Sequence, residues 1–317
     1  MMIIYLKPIS TFPKLHSDTI FGAFCSILTE IYPNFVEELI EDFKVKPPFI
    51  ISSAFPYITI NNNKKHFLPK IDIFEKKYDS SNSLDSYKKY KKIKYIEEDI
   101  FFDIIEKNIT STEIINNLES YNIQSQMLLN EDVNDIKVSS TIHQKNIIHR
   151  INNSSLNTFY TQGYQYKNMG LYFIIKIYDE KYNKKLKTGI KLLRDRGFGA
   201  NISTGQGHFD YDIDEESEFE EKLFNTKGNY FLTLSRYIPT KEEIQKINMH
   251  STYTLSSKRG IKSNGELKKK IQFFEEGSIF PSYQQNYGKI VNVGTVTPSI
   301  EYGYAFPIKM EVDSDGI

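Results

Sequence analysis

Tryptophan is absent from the chain, cysteine occurs once, and the charges cancel, with 40 basic residues against 40 acidic ones. The lone Cys25 excludes an internal disulfide and a cysteine-built zinc site within the chain. Its place in an apolar run makes it a small buried thiol. No run of 18 or more apolar residues occurs, so no membrane span is expected. Met1-Met2-Ile3-Ile4 opens only a short apolar segment without a charged lead or a cleavage site. No signal peptide is therefore expected, and the expected location is cytoplasmic. A net charge of zero also lacks the basic footprint of a protein that binds free nucleic acid.

What is present points to sheets with some helix. Hydrophobic residues make up 39% of the 317, enough for a real core, and the aromatics are 22 Tyr and 22 Phe, residues that favour strands. The length suggests two domains, with the boundary near 215–228. Ile3–Leu6 reads as an opening strand. The apolar spacing from Ile20 to Tyr32 predicts a helix, with Ser17 or Asp18 as its N-cap and Pro33 as its stop. Short strands are expected at 49–52 and 55–60. Residues 75–140 read as a helical insertion, with helices at 97–107 and 111–129 capped by Ser111 or Thr112. The Asn- and Tyr-rich stretch 143–170 reads as a long hairpin or a flexible loop. A strand follows at 171–178, and a basic helix runs from Thr188 to Arg196. Thr240-Lys241-Glu242-Glu243 is a capping box, followed by strands at 252–256, 270–274, 289–293 and 303–311. Element order thus repeats in two α+β halves.

The neutral total hides uneven placement. Lys181, Lys184, Lys185, Lys187, Lys191, Arg194 and Arg196 face only Asp195 across 181–196, whereas 210–221 carries eight carboxylates. Carboxylates alternating along a chain do not converge on one ion, so no metal is expected there, and no cofactor is implied elsewhere.

The sharpest motif lies between these segments. Gly197-Phe198-Gly199-Ala200-Asn201-Ile202-Ser203-Thr204-Gly205-Gln206-Gly207 places four glycines in eleven residues, spaced G-x-G-x5-G-x-G. Such spacing lets the backbone pass through positive φ and approach a ligand closely. Curled backbone N–H groups would make a nest for phosphate, Asn201, Ser203 and Thr204 would add hydrogen bonds, and Arg194 and Arg196 would add charge. A tight hairpin with no ligand fits the spacing as well. No Gly-Lys-Ser/Thr closes the motif, so it is not a nucleotide P-loop. It follows a helix instead of opening one, which also argues against a dinucleotide fingerprint.

This basic helix and its glycine-rich successor resemble the glycine-rich loop of the RAMP superfamily of CRISPR proteins. Four further stretches are similar to the subunit of that superfamily that caps the 5′ end of guide RNA in type III complexes, with the fourth Csm-type subunit of type III-A the best fit and the type III-B counterpart close behind. They are Leu15–Ala23, Lys91–Ile96, the thumb-like region from Ile148 to Tyr172, and the ending Tyr302–Ile308. The resemblance runs nearly end to end and is weakest at 100–140 and 210–290. It implies an α+β fold of two ferredoxin-like (RRM-like) halves, at 1–215 and 228–317, with a helical insertion and a thumb hairpin. It also implies no catalytic duty. The chain would hold the 5′ handle of crRNA, meet the target RNA duplex near the handle with its thumb, and dock to the large polymerase-like subunit and a neighbouring backbone RAMP subunit.

The expected RNA contacts are therefore His16, Ser17, Asp18, His149, Arg150, Asn152, Arg194, Arg196, Gly197, Phe198, Gly199, Asn201, Ser203, Thr204, Gly205, Gly207, Lys258 and Arg259. Tyr5, Tyr302 and Tyr304 are either stacking platforms or core residues. The competing expectation is a metal-independent endoribonuclease that processes crRNA with His16. RNA cleavage needs an acid, a base and phosphate stabilisation within hydrogen-bond reach, and adjacent positions 16–18 point to different faces.

Overall fold

The computed structural model describes residues 1–71, 84–133, 135–148, 155–199, 201–215, 217–247, 251–260, 266–296 and 298–312. The opening strand Met2–Pro8 pairs antiparallel with Gly170–Ile177 on one side and with Phe209–Asp214 on the other. Beyond Gly170–Ile177 lie the short strands Phe49–Ile51 and Phe55–Ile60. The helices Ser17–Thr29 and Asn183–Arg196 form the two crossovers. Counting Phe49–Ile51 and Phe55–Ile60 as one interrupted second strand, the strands sit 4-1-3-2 in order of appearance, the arrangement of a ferredoxin-like unit, and the α+β fold is plain from it. Continuous burial of Gly170 to Ile175 explains why that strand reads as an unbroken apolar run.

The two helices pack on the sheet and on each other. Ser17–Thr29 turns Ile20, Phe21, Phe24, Ile27 and Leu28 inward, a stripe with helical spacing. Gly189 is what lets the second helix come this close, because a Cβ there would sit 2.7 Å from Phe24 Cδ1.

Residues between the second and third strands form the insertion, which extends the same sheet outward through Asn63–Pro69, Tyr95–Glu97, Met127–Leu129 and Asn122–Gln124. Helix Glu98–Ile105 forms as the spacing predicts. The helix expected over 111–129 stops at Asn116, opened by a capping box of Thr110 with Glu113 and not by Ser111 or Thr112. Residues 122–129 instead make a hairpin. Its turn residues Ser125 and Gln126 both hold positive φ (49° and 68°), as a type I′ turn requires.

The stretch read as a long hairpin is one, but longer at its base. Strands Lys137–Ile148 and Ser155–Lys167 pair from Lys137↔Lys167 to Ile148↔Ser155. Phe12 exchanges two backbone hydrogen bonds of 2.8 Å with Tyr164, fixing the hairpin base to the segment after the opening strand.

After the helix Glu218–Asn225, the C-terminal part is a three-stranded antiparallel sheet of Ile279–Pro281, Tyr230–Thr233 and Pro307–Met310. Two hairpins accompany it, Leu255–Lys258 with Ile271–Phe274 and Gly288–Asn292 with Ile300–Tyr304. The capping box at Thr240 is present, with both of its hydrogen bonds. One hydrophobic core spans both parts. Tyr302 stacks on Phe21 at 5.0 Å, and its hydroxyl accepts a hydrogen bond from the Ile51 N–H at 2.9 Å across this seam. No helix among the described residues is long and apolar enough to cross a membrane.

Candidate nucleic-acid interface

The glycine stretch is a closed surface turn. Gly197 caps the basic helix with φ 97°, donating its N–H to Leu193 O. Phe198 N–H bonds to Gly207 O, and Gly207 N–H bonds to Thr11 O, which seats the turn against residues 9–13. Gly207 has φ 81°, and a Cβ there would lie 2.0 Å from Phe198 O, so only glycine closes the turn. Gly199, at φ 97°, lies against Pro13. Phe198 is the anchor: its ring is buried, 5.1 Å from Phe209 and 6.0 Å from Phe12. A ligand at this turn would meet the Phe198 backbone, not its ring.

Inside the turn, Thr204 N–H and Gln206 N–H point to Asn201 O, and Gly205 N–H points to Ile202 O. With Phe198, four amides of the stretch are thus engaged internally, and that of Gly207 is taken by Thr11 O. The expected phosphate nest is smaller than the spacing suggests. Ser203, Thr204 and Gly205 are exposed at its tip, so side chains and nearby cations carry what the turn offers a ligand.

Those cations are largely paired. Arg194 holds Asp210 at 3.0 Å, and Arg196 grips Glu30 with both guanidinium nitrogens. Lys181, Lys185 and Lys187 pair with Asp42, Glu38 and Glu215. The basic helix and the acidic strand after it therefore neutralise one another. Exposed Lys184 and Lys191 make no ion pair among the described residues. Exposed ion pairs hold by about 0–1 kcal/mol, so an RNA phosphate can replace these carboxylates at little cost.

Residues 16–18 sit elsewhere, at the seam between the two parts. His16 is the N-cap of its helix and makes no side-chain cap bond, so neither Ser17 nor Asp18 caps it. Ser17 is buried; its hydroxyl accepts a hydrogen bond from the Arg236 N–H at 3.1 Å. Asp18 is buried between Arg236, at 3.0 Å, and Lys258. Burial alone would raise its carboxyl pKa, but Lys258 and Arg236 outweigh that and hold it below the ordinary range. Lys258 also bonds Glu301, so it clamps the seam where a phosphate contact was expected. Arg259 is exposed and donates to Lys268 O at 3.0 Å.

His16 Nδ1 lies 2.8 Å from Glu276 Oε1, and Ser53 donates to the same carboxylate. Burial would raise Glu276, yet the hydrogen bonds from His16 and Ser53 and the charge of Arg236 bring it down to about 2. Tyr5, Tyr302 and Tyr304 are core residues, all buried, with the Tyr5 hydroxyl on His66 Nε2 at 2.7 Å. His149, Arg150 and Asn152 lie outside the described residues. No group of three or more residues able to hold a metal occurs among the described residues.

Segment 226–310 matches the family model of the CRISPR Csm4 C-terminal domain. Over its whole length the chain resembles one in the crystal structure of a Csm3–Csm4 subcomplex of the type III-A CRISPR-Cas interference complex. That match has 20% identity and a TM-score of 0.72, covering 98% of this chain and 99% of that one. A chain of the Csm1–Csm4 cassette in complex with AMPPNP is similar at 17% identity and a TM-score of 0.59, covering 99% and 98%. The same cassette in complex with cA4 gives 18% identity and a TM-score of 0.58, covering 99% and 98%. No curated protein matches the chain in sequence. The chain thus carries a segment, 226–310, that matches the Csm4 C-terminal domain, and it shares its fold from end to end with chains of the Csm3–Csm4 and Csm1–Csm4 assemblies.

Proposed function

We propose that this chain is a non-catalytic subunit of a type III-A CRISPR ribonucleoprotein that holds the 5′ handle of crRNA. It docks to a Csm1-like large subunit and a Csm3-like backbone subunit, as the relatives it resembles are assembled with Csm1 and Csm3. The observation that carries the RNA reading is the glycine turn. It is seated rigidly on Thr11 and Phe12, its polar tip is exposed, and its flanking arginines sit in exchangeable surface ion pairs. The zero net charge suits a subunit that buries surface against partners and meets RNA inside an assembly.

The test is retention of handle RNA by the assembled complex. Gly199→Val and Arg196→Glu should each lower it, and unchanged retention in both variants would sink the assignment. The nuclease reading draws on the His16–Glu276 pair, which lines a cleft with Lys14 and Lys94. Incubating the protein with repeat RNA in EDTA should leave the RNA intact. Products that disappear on His16→Ala would favour cleavage instead.

A further inference from the structure

A cleft of about 380 Å³ opens between the base of the thumb hairpin and the outer sheet, within the usual ~300–1,000 Å³ range of ligand sites. Lys14 and Lys94 stand on it, and neither makes an ion pair among the described residues. This sets them apart from the arginines beside the glycine turn. Protein around Lys14, and then the charge of Lys94 nearby, lower its pKa against the opposing pull of Glu276. Glu276 pulls on Lys14 from nearby but is itself held by His16 and Ser53, so the two ammonium groups remain open to a phosphate.

The other wall is aromatic. Tyr95 comes from the strand Tyr95–Glu97, and Tyr164 and Tyr166 come from alternate positions of the thumb strand, so both face the same way. Burial, and then the nearby phenols of Tyr95 and Tyr164, raise the Tyr166 hydroxyl well above its ordinary value. The amide of exposed Gln126 lies at the rim. Further up the same thumb face Tyr160 is 68% exposed, opposite Gln144.

Continuity supplies the occupant. Lys14 directly follows the residues on which the glycine turn rests, through Gly207 N–H to Thr11 O and Gly199 against Pro13. The same segment holds the thumb at Phe12 and Tyr164. We propose that the cleft takes one unstacked nucleotide of single-stranded RNA that continues from the glycine turn. Its phosphate lies on Lys14 and Lys94, and its base lies against Tyr164 and Tyr166. The inference rests on the handle-binding reading above. Side-chain stacking of this kind tolerates any base, so the cleft selects a single strand and not a sequence.

The experiment uses the assembled ribonucleoprotein carrying guide RNA substituted with 4-thiouridine, irradiated and mapped by mass spectrometry. Wild type should give adducts on Tyr95, Tyr164 or Tyr166. The double variant Lys14→Glu/Lys94→Glu should lower them about tenfold, and two lost contacts should flatten the salt dependence of RNA retention by about 1.4 in log–log slope. Tyr164→Phe keeps the ring and should keep the RNA bound, which separates stacking from a disturbed thumb base. Adducts on 197–207 with none in the cleft would overturn the cleft and leave handle binding standing. No adduct anywhere on this chain would overturn both. A double variant that keeps its RNA adducts but releases a neighbouring subunit would show a protein-docking face and overturn the nucleotide reading.

Discussion

The glycine turn at 197–207 and the ionic cluster around Asp18 draw on similar residue chemistry and are built to opposite ends. In the turn, arginines lie at the surface beside carboxylates that solvent and salt already weaken. At the seam, Asp18 is buried between Arg236 and Lys258, and Lys258 reaches on to Glu301. A surface pair is free to trade its partner for a phosphate. A buried one is not, because removing either member strands an uncompensated charge. The difference teaches that a lysine beside glycines in sequence is no guide to RNA contact until its carboxylate partners are known.

Breaking the seam should have the largest effect. Asp18→Ala is expected to cost about 3–5 kcal/mol of stability, read from the denaturant midpoint and slope. A cost near that of a surface pair would show the cluster to be incidental. Acid should act on the same seam. Glu276 has its pKa lowered from an ordinary 4.5 to about 2 in the folded chain. The unfolded chain therefore takes up this proton first as pH falls. The stability from Glu276 is complete above about pH 4.5 and disappears as the pH approaches 2. Glu276→Gln should flatten that part of the thermal midpoint–pH profile, and an unchanged profile would remove the pair from the account.

The turn should respond differently. Gly199→Val forces a β-branched residue to φ 97° beside Pro13, a strain of about 1–3 kcal/mol, with handle RNA lost while the fold survives. The smallest stability effect belongs to Arg196→Glu, expected within about 0.5 kcal/mol of wild type by thermal melting. Its RNA retention should nonetheless fall several-fold. A stability loss matching that of Asp18→Ala would erase the contrast between the two regions.

Much of the fold was legible because local signals agreed with the tertiary outcome. The stripe from Ile20 to Leu28, the unbroken apolar strand at 171–175 and the Thr240–Glu243 capping box all appear where the spacing puts them. The misread helix at 111–129 has a physical reason. Ile123, Met127 and Leu128 mimic helical spacing, and the Ser125–Gln126 turn lacks the Gly or Asn that marks a type I′ hairpin. The site was less legible. Lys14 and Lys94 are 80 positions apart and unremarkable alone; the sheet and the thumb base bring them to one cleft. Arg236 and Glu276, which organise the seam, likewise carry no motif. Tyr302 and Tyr304 pack in the core because their strand crosses the seam, and sequence left that choice open.

The most direct measurement of the central claim is hydrogen–deuterium exchange of this chain within the assembled complex, with and without guide RNA. Handle binding predicts slower exchange at residues 197–207 and 9–16 when the RNA is present, with the seam around Asp18 unchanged. Equal exchange at the glycine turn in both states would contradict it.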